Sequence, residues 1–149
     1  MYKVEIKIDV APLEGLKQSL VNKILKKAIT VASRVVRDKL QGNAEEIARL
    51  GYLAKSIGIK IRIYKGAAVA IVGPRSKWKR DNGTYTKGKN KGKPRTIKPS
   101  YYMHLVEKGS KRSKANPIEQ QALSSTEEQF YTALSDAIRQ GISDQLNKK

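Results

Sequence analysis

Ile57-Gly58-Ile59-Lys60-Ile61-Arg62-Ile63-Tyr64-Lys65-Gly66-Ala67-Ala68-Val69-Ala70-Ile71-Val72 is the stretch that sets the architecture. Its first half alternates: Ile57, Ile59, Ile61 and Ile63 face one way, and Gly58, Lys60, Arg62 and Tyr64 the other. Period two over eight residues is the pattern of a half-buried strand. After Lys65-Gly66 the run from Ala67 to Val72 is apolar on both faces. Two such runs joined at a glycine-containing turn predict a β-hairpin. The second strand, lacking a polar face, belongs in the middle of the sheet.

Working outward toward the N-terminus, Tyr52–Ser56 reads as a linking turn. A short helix is expected before it, capped by Asn43, carrying Glu45 and Glu46 in its first turn and closed by Gly51. Leu13–Gln41 is a long amphipathic helix. Leu13, Leu16, Leu20, Ile24, Ala28, Val31 and Val35 form its stripe, and Val21, Leu25, Ala32 and Val36 widen it. Pro12 suits its first turn and Gly42 its C-terminal end. Lys17, Lys23, Lys26, Lys27, Arg34 and Arg37 populate the opposite face, read as solvated surface. Tyr2–Val10 alternates strictly and predicts another half-buried strand.

On the other side, Gly73-Pro74 stops the second strand and releases a basic arm. Arg75–Lys114 holds fourteen Lys or Arg against Asp81 and Glu107, a net +12 within a chain of formal charge +18. From Arg75 to Ser100 the arm has Gly, Asn and Pro at short intervals and almost no aliphatic residues. Such a segment buries too little to offset its ordering entropy, which predicts an extended, mobile loop. Loops of this length in compact domains are usually functional. Tyr101–Lys108 turns apolar and reads as one or two helical turns, with a short strand as the alternative, ended by Gly109. Its apolar residues, Leu105 among them, are expected in the core, with Glu107 satisfied by a backbone or basic partner. Ser110–Ala115 is a second basic loop. Asn116-Pro117-Ile118-Glu119 then predicts a helix start in which Asn116 caps and Glu119 reaches back. Leu123, Phe130, Leu134, Ile138, Ile142 and Leu146 form that helix's stripe, with a break expected near Ser125.

The whole is an α+β fold: an antiparallel sheet packed against two long amphipathic helices, with a long basic loop, in one domain spanning residues 1–149. The chain has no cysteine, which excludes disulfides, thiolate nucleophiles and cysteine zinc sites. No apolar run reaches membrane-spanning length and there is no signal-peptide core, so the chain is expected to act inside a cell or in an assembly built there. A pI near 10.1 calls for a polyanionic neighbour, nucleic acid first. No catalytic constellation is present. His104 is the sole histidine. Asp81, Glu107 and His104 are the only groups near the arm that could hold a metal, and no phosphate-binding loop of the required spacing occurs. The chain is therefore read as a non-enzyme without cofactor or metal.

Four pieces, in order, carry a resemblance. They are Gly51-Tyr52-Leu53-Ala54-Lys55-Ser56-Ile57, then Val69-Ala70-Ile71-Val72-Gly73-Pro74, then Tyr101-Tyr102-Met103-His104-Leu105-Val106-Glu107-Lys108-Gly109-Ser110, and last Ala115-Asn116-Pro117-Ile118-Glu119-Gln120-Gln121-Ala122-Leu123. Together they resemble a family of tailed-bacteriophage head–tail joining or tail-completion proteins, named after the tenth gene product of a lambda-like phage. Leu50-Gly51 stands where that family has Thr-Gly, Ile118 where it has Phe, and Gln120-Gln121 where it has Arg-Pro. The resemblance gives Gly51, Leu53, Ser56, Ile57, Gly73, Tyr101, Tyr102, Glu107, Gly109, Pro117 and Ala122 structural roles. It implies a structural virion protein in a homo-oligomeric, sixfold neck ring at the head–tail junction, assembled in the host cytoplasm. Its implied partners are a portal-side connector or head-closure protein, a tail terminator or tail tube protein, and double-stranded DNA passing without sequence readout, with no membrane.

On that reading Arg75, Lys77, Trp78, Lys79, Arg80, Tyr85, Lys87, Lys89, Lys91, Lys93 and Arg95 face a neighbouring subunit or the DNA. Trp78 and Tyr85 would anchor in pockets on the neighbour. The rival reading is a basic nucleic-acid-binding protein, ribosomal in style, whose aromatics converge on one exposed stacking platform.

Overall fold

The computed structural model describes residues 5–6, 17–47, 51–64 and 67–147. Strand β1 is Glu5–Ile6 and helix α1 is Gln18–Glu45. Helix α2, Gly51–Ser56, runs directly into β2, Ile57–Tyr64, which pairs with β3, Ala67–Pro74. Strands β4, Arg80–Thr84, and β5, Pro94–Ile97, form a separate pair. A 3₁₀ turn at Pro99–Tyr101 leads to α3, Met103–Lys108, and then to α4, Ile118–Leu146. The α+β class is as expected.

The hairpin at the centre of the reading is present. β2 and β3 are antiparallel, in register from Ile57 opposite Pro74 to Tyr64 opposite Ala67. β1 joins the other side of β3, pairing Glu5 with Val69 and Ile6 with Ala68. The order β1-β3-β2 puts β3 in the middle. Its lack of a polar face explains this: Ala68, Val69 and Ala70 are all buried. The strand extends through Gly73-Pro74 rather than stopping before them. The rest of the expected N-terminal strand, and the expected first turns of the long helix with Pro12, Leu13 and Leu16, lie outside the described residues.

Helix α1 packs along α4 and across the sheet. Val21, Ile24, Leu25, Ala28, Ile29, Ala32 and Val36 join Ala68, Ala70, Phe130 and Leu134 in one cluster. The buried face is thus centred on what sequence periodicity gave as the widening stripe, while Val31 is exposed. Gly141 on α4 lies against Ile24; a Cβ there would meet Ile24 Cγ2 at 2.9 Å, so glycine sets how closely the helices cross.

Three expectations about helix ends need correction. α1 runs through Gly42 to Glu45, so Gly42 is interior. Asn43 caps nothing; it is buried on α1 and its Nδ2 donates to the Ile118 carbonyl at 3.3 Å. The short helix is α2, which Gly51 opens rather than closes, where a linking turn was expected. The physical reason is burial. Leu40 and Ala44 continue the apolar stripe past Gly42, and packing outweighs the roughly 1 kcal/mol that an interior glycine costs.

α4 is continuous to Leu146, without a break at Ser125. The Ser124, Ser125 and Thr126 hydroxyls donate back to the Gln120 and Ala122 carbonyls at 3.0, 3.2 and 2.7 Å, which satisfies them inside the helix.

Candidate functional site

The basic arm is not a structureless loop. Arg80–Thr84 pairs antiparallel with Pro94–Ile97, with a register irregularity between Asp81 and Thr84. The Tyr85 N–H donates to the Lys93 carbonyl at 3.0 Å and the Gly92 N–H to the Tyr85 carbonyl at 2.9 Å. At the tip, Lys91 N–H bonds the Gly88 carbonyl and Lys93 N–H the Asn90 carbonyl. Backbone pairing and tight Gly-Asn turns therefore order a segment that has no apolar core of its own. The apolar-burial argument for a mobile loop overlooked this route.

The hairpin is exposed from Lys79 to Thr96. Lys79, Arg80, Lys87, Lys89, Lys91, Lys93 and Arg95 project from it with no carboxylate of the described residues in ion-pairing range. The two ion pairs among the described residues are Lys27–Asp144 and Arg37–Asp38, both on the helical body. Cations this close repel one another, which favours an anionic partner over free solvent.

The base of the hairpin is fixed to the body. Arg75 N–H donates to the Ser56 carbonyl at 2.9 Å, and its guanidinium reaches the Ser56 and Lys55 carbonyls at 3.3 Å each. Arg75 thereby satisfies the C-terminal end of α2. Trp78 is half-buried and its ring lies 6.4 Å from that of Tyr52, over which the Arg80 guanidinium also sits at 5.2 Å. Arg75 therefore serves α2 while staying exposed, and Trp78 packs in part on its own chain. Tyr52, inside the first quoted motif, supplies that platform, and its role had no sequence signal beyond being aromatic. Tyr85 remains exposed beside the tip. Lys77 is exposed on the turn between.

The four motifs, distant in sequence, meet in a second apolar cluster. Leu53, Ala54 and Ile57 from the first, Met103 from the third, and Ile118 and Ala122 from the fourth pack with Leu40 and Ala44; Val72 from the second, Tyr102 and Val106 lie against them. Ser56 is fully buried and donates to the Leu53 carbonyl at 2.7 Å. Asn116 N–H donates to the Val106 carbonyl at 2.8 Å.

Glu107 accepts from the Glu119 N–H at 2.6 Å. The residue preceding α4 is Pro117, and neither it nor Asn116 makes a side-chain cap. Glu107 performs the capping expected of Asn116, from another helix, and places a negative charge at the positive end of α4. Gly109 has φ +77°, and a Cβ there would lie 2.7 Å from Ala115 N, so only glycine fits the return from α3 to α4.

Gly73 faces Gly58 across the sheet, and Gly51 is exposed at the start of α2. Tyr101 is 69% exposed, with Lys98 Nζ 5.1 Å from its ring centre. Leu105 is 45% exposed, which corrects its expected place in the core; Met103 fills that role. Burial raises the Tyr102 phenol above its ordinary pKa.

Between α1, β3 and the first half of α4 lies a pocket of about 350 Å³. Its walls include Val36, Val72, Leu123 and Phe130, and its polar residues are Ser33, Glu119, Gln120, Ser124, Glu127 and Tyr131. Ser33 is fully buried and its Oγ has no hydrogen-bond partner among the described residues. Burial, and then the nearby Glu107 charge, push the Glu119 carboxyl above its ordinary pKa. The sequence held a trace of this: Ser33 interrupts the apolar stripe between Ile29 and Val36.

His104 is exposed, Asp81 lies on the hairpin, and Glu107 is committed to α4. No group of three or more metal-ligating side chains occurs among the described residues. No described helix is long and apolar enough to cross a membrane.

Comparison with known protein families gives a match. The family model HK97-gp10-like, described as "Bacteriophage HK97-gp10, putative tail-component", matches residues 11–109. No curated protein and no solved structure matches. The matched span covers most of the chain, including the first two motifs, the third as far as Gly109, and the whole basic hairpin. The chain belongs to this family of phage tail components, and it is a virion protein.

Proposed function

We propose that this member of the HK97-gp10-like family is a non-enzymatic subunit of the neck ring that joins the DNA-filled head to the tail. The observation that carries the reading is the contrast at the hairpin. Its base is bonded to the body through Arg75 and Trp78, while its shaft and tip are exposed, cationic and unpaired. Ring subunits make head-to-tail contacts between two different surfaces, and a projecting element with a fixed base suits one of them. The hairpin joins subunits and, secondarily, faces passing DNA. Phosphate attraction carries no base information, so its lysines tolerate any sequence. Its partners are further copies of itself in a sixfold ring, a portal-side connector or head-closure protein, and a tail terminator or tail tube protein.

The rival reading, a basic nucleic-acid-binding protein of ribosomal style, requires convergent exposed aromatics. Trp78 instead packs on Tyr52, and Tyr101 lies beyond the hairpin next to Lys98. Imaging of assembled particles separates the two. Symmetric density for this chain at the head–tail junction supports the neck reading; a monomer that binds RNA tightly at physiological salt, and is missing from the junction, sinks it. Incubation with DNA or RNA and magnesium or manganese is expected to leave the nucleic acid intact. DNA binding by the free chain is expected to be non-specific and to weaken steeply with salt.

A further inference from the structure

The pocket between α1, β3 and α4 is unfilled by the described residues, and its chemistry is mixed. The walls are apolar, through Val72, Leu123 and Phe130. Gln120, Ser124 and Tyr131 add polar groups at its exposed side, whereas Ser33, whose Oγ has no partner among the described residues, has no accessible surface. Among the described residues, Glu119 and Glu127 are the charged ones lining it, and no basic residue does. A fitting occupant has an apolar body, a polar tip and cationic flanks.

The same chain displays such a group. Tyr85 is the large aromatic or aliphatic side chain exposed on the basic hairpin. It is held by backbone pairing with Lys93 and stands two residues from Lys87. A tyrosine ring with its hydroxyl matches apolar walls and an exposed polar rim. Lysines beside it match an acidic rim.

We propose that this pocket receives the Tyr85 end of the basic hairpin from a neighbouring copy. The claim rests on the ring reading and names the contact that closes it. The donor surface and the acceptor surface differ, so the contact is heterologous and propagates from subunit to subunit until a ring closes. The Tyr85 ring packs on Phe130 and Leu123, its hydroxyl stays among the exposed polar groups of Gln120, Ser124 and Tyr131, and Lys87 and Lys93 lie over Glu127.

The absence of native cysteine makes a clean test. In a Thr86→Cys/Gln120→Cys chain, Tyr85 is kept and one thiol sits beside it, with the other at the pocket. A short thiol cross-linker applied to assembled particles is expected to yield a ladder of covalent multimers, which neither single variant gives. Tyr85→Ala is expected to raise the concentration needed for assembly by about tenfold or more, as for a central aromatic anchor. Tyr85→Phe, which removes only the hydroxyl, is expected to fall between. Rings that form without a ladder overturn the pocket contact and leave the ring reading standing. Particles that hold no ring of this chain overturn both.

Discussion

The α1–α4 body and the basic hairpin reach order by opposite means. In the body, Leu25, Ala28 and Ile29 are completely buried, and the helices touch closely enough that Gly141 admits no side chain. In the hairpin every residue from Lys79 to Thr96 is exposed, and order comes from backbone pairing and turns. The body owes its stability to apolar area removed from water; the hairpin adds cations that repel. Cost without local return is the signature of a segment kept for what it touches, and the two regions should answer differently to mutation.

The largest expected effect is in the body. Leu25→Ala should cost about 2–5 kcal/mol in chemical denaturation, the range for an emptied core site. Tyr85→Ala should leave stability within about 0.5 kcal/mol, as an exposed substitution does. Equal effects would erase the distinction.

Next comes the junction where the motifs meet. Glu107→Ala removes the acceptor for the Glu119 N–H and should cost about 0.5–2 kcal/mol, the range for a lost helix cap. Asn116→Ala, which removes no cap, should cost less. The reverse ranking would restore Asn116 to the role its sequence position suggested.

The smallest effect is a pH dependence. Burial and the Glu107 charge raise the Glu119 pKa in the folded chain. The folded state then holds this proton to higher pH than the unfolded state does. Its contribution to stability is full below the ordinary glutamate pKa and is lost as pH rises through the raised value. Glu119→Gln should therefore gain on wild type as pH climbs from acid to neutral, read as a growing difference in Tm. A constant difference across that window would place the Glu119 charge in an unpenalised setting.

The contrast between body and hairpin also marks what was legible in the sequence. Period-two alternation in Ile57–Tyr64 and the unbroken apolar run of Ala67–Val72 placed β2 and β3 and made β3 central, because burial on one face or two leaves a direct trace. The same reasoning misjudged Gly42, where a weak local preference met a continuing apolar stripe. It misjudged Arg75–Ser100 because pairing between β4 and β5 needs no apolar signal. Asn116 looked like a cap, but the cap came from Glu107, a partner that only tertiary folding brings near. Leu105 looked like core by composition, while helical phase turned it outward and Met103 inward. The quoted motifs converge on one cluster, and that convergence was invisible in one dimension. The pocket with Ser33 and Glu119 was equally hidden, since its walls come from three separate elements.

The central claim is that the hairpin serves the assembly and not the fold. Replacing Lys79–Ile97 with a Gly-Ser linker and measuring both unfolding free energy and native mass tests it in one preparation. The account predicts a body as stable as the parent within about 1 kcal/mol, since no core residue is lost, that no longer forms rings or joins heads to tails. A replaced chain that still assembles into rings and yields infectious particles would contradict it.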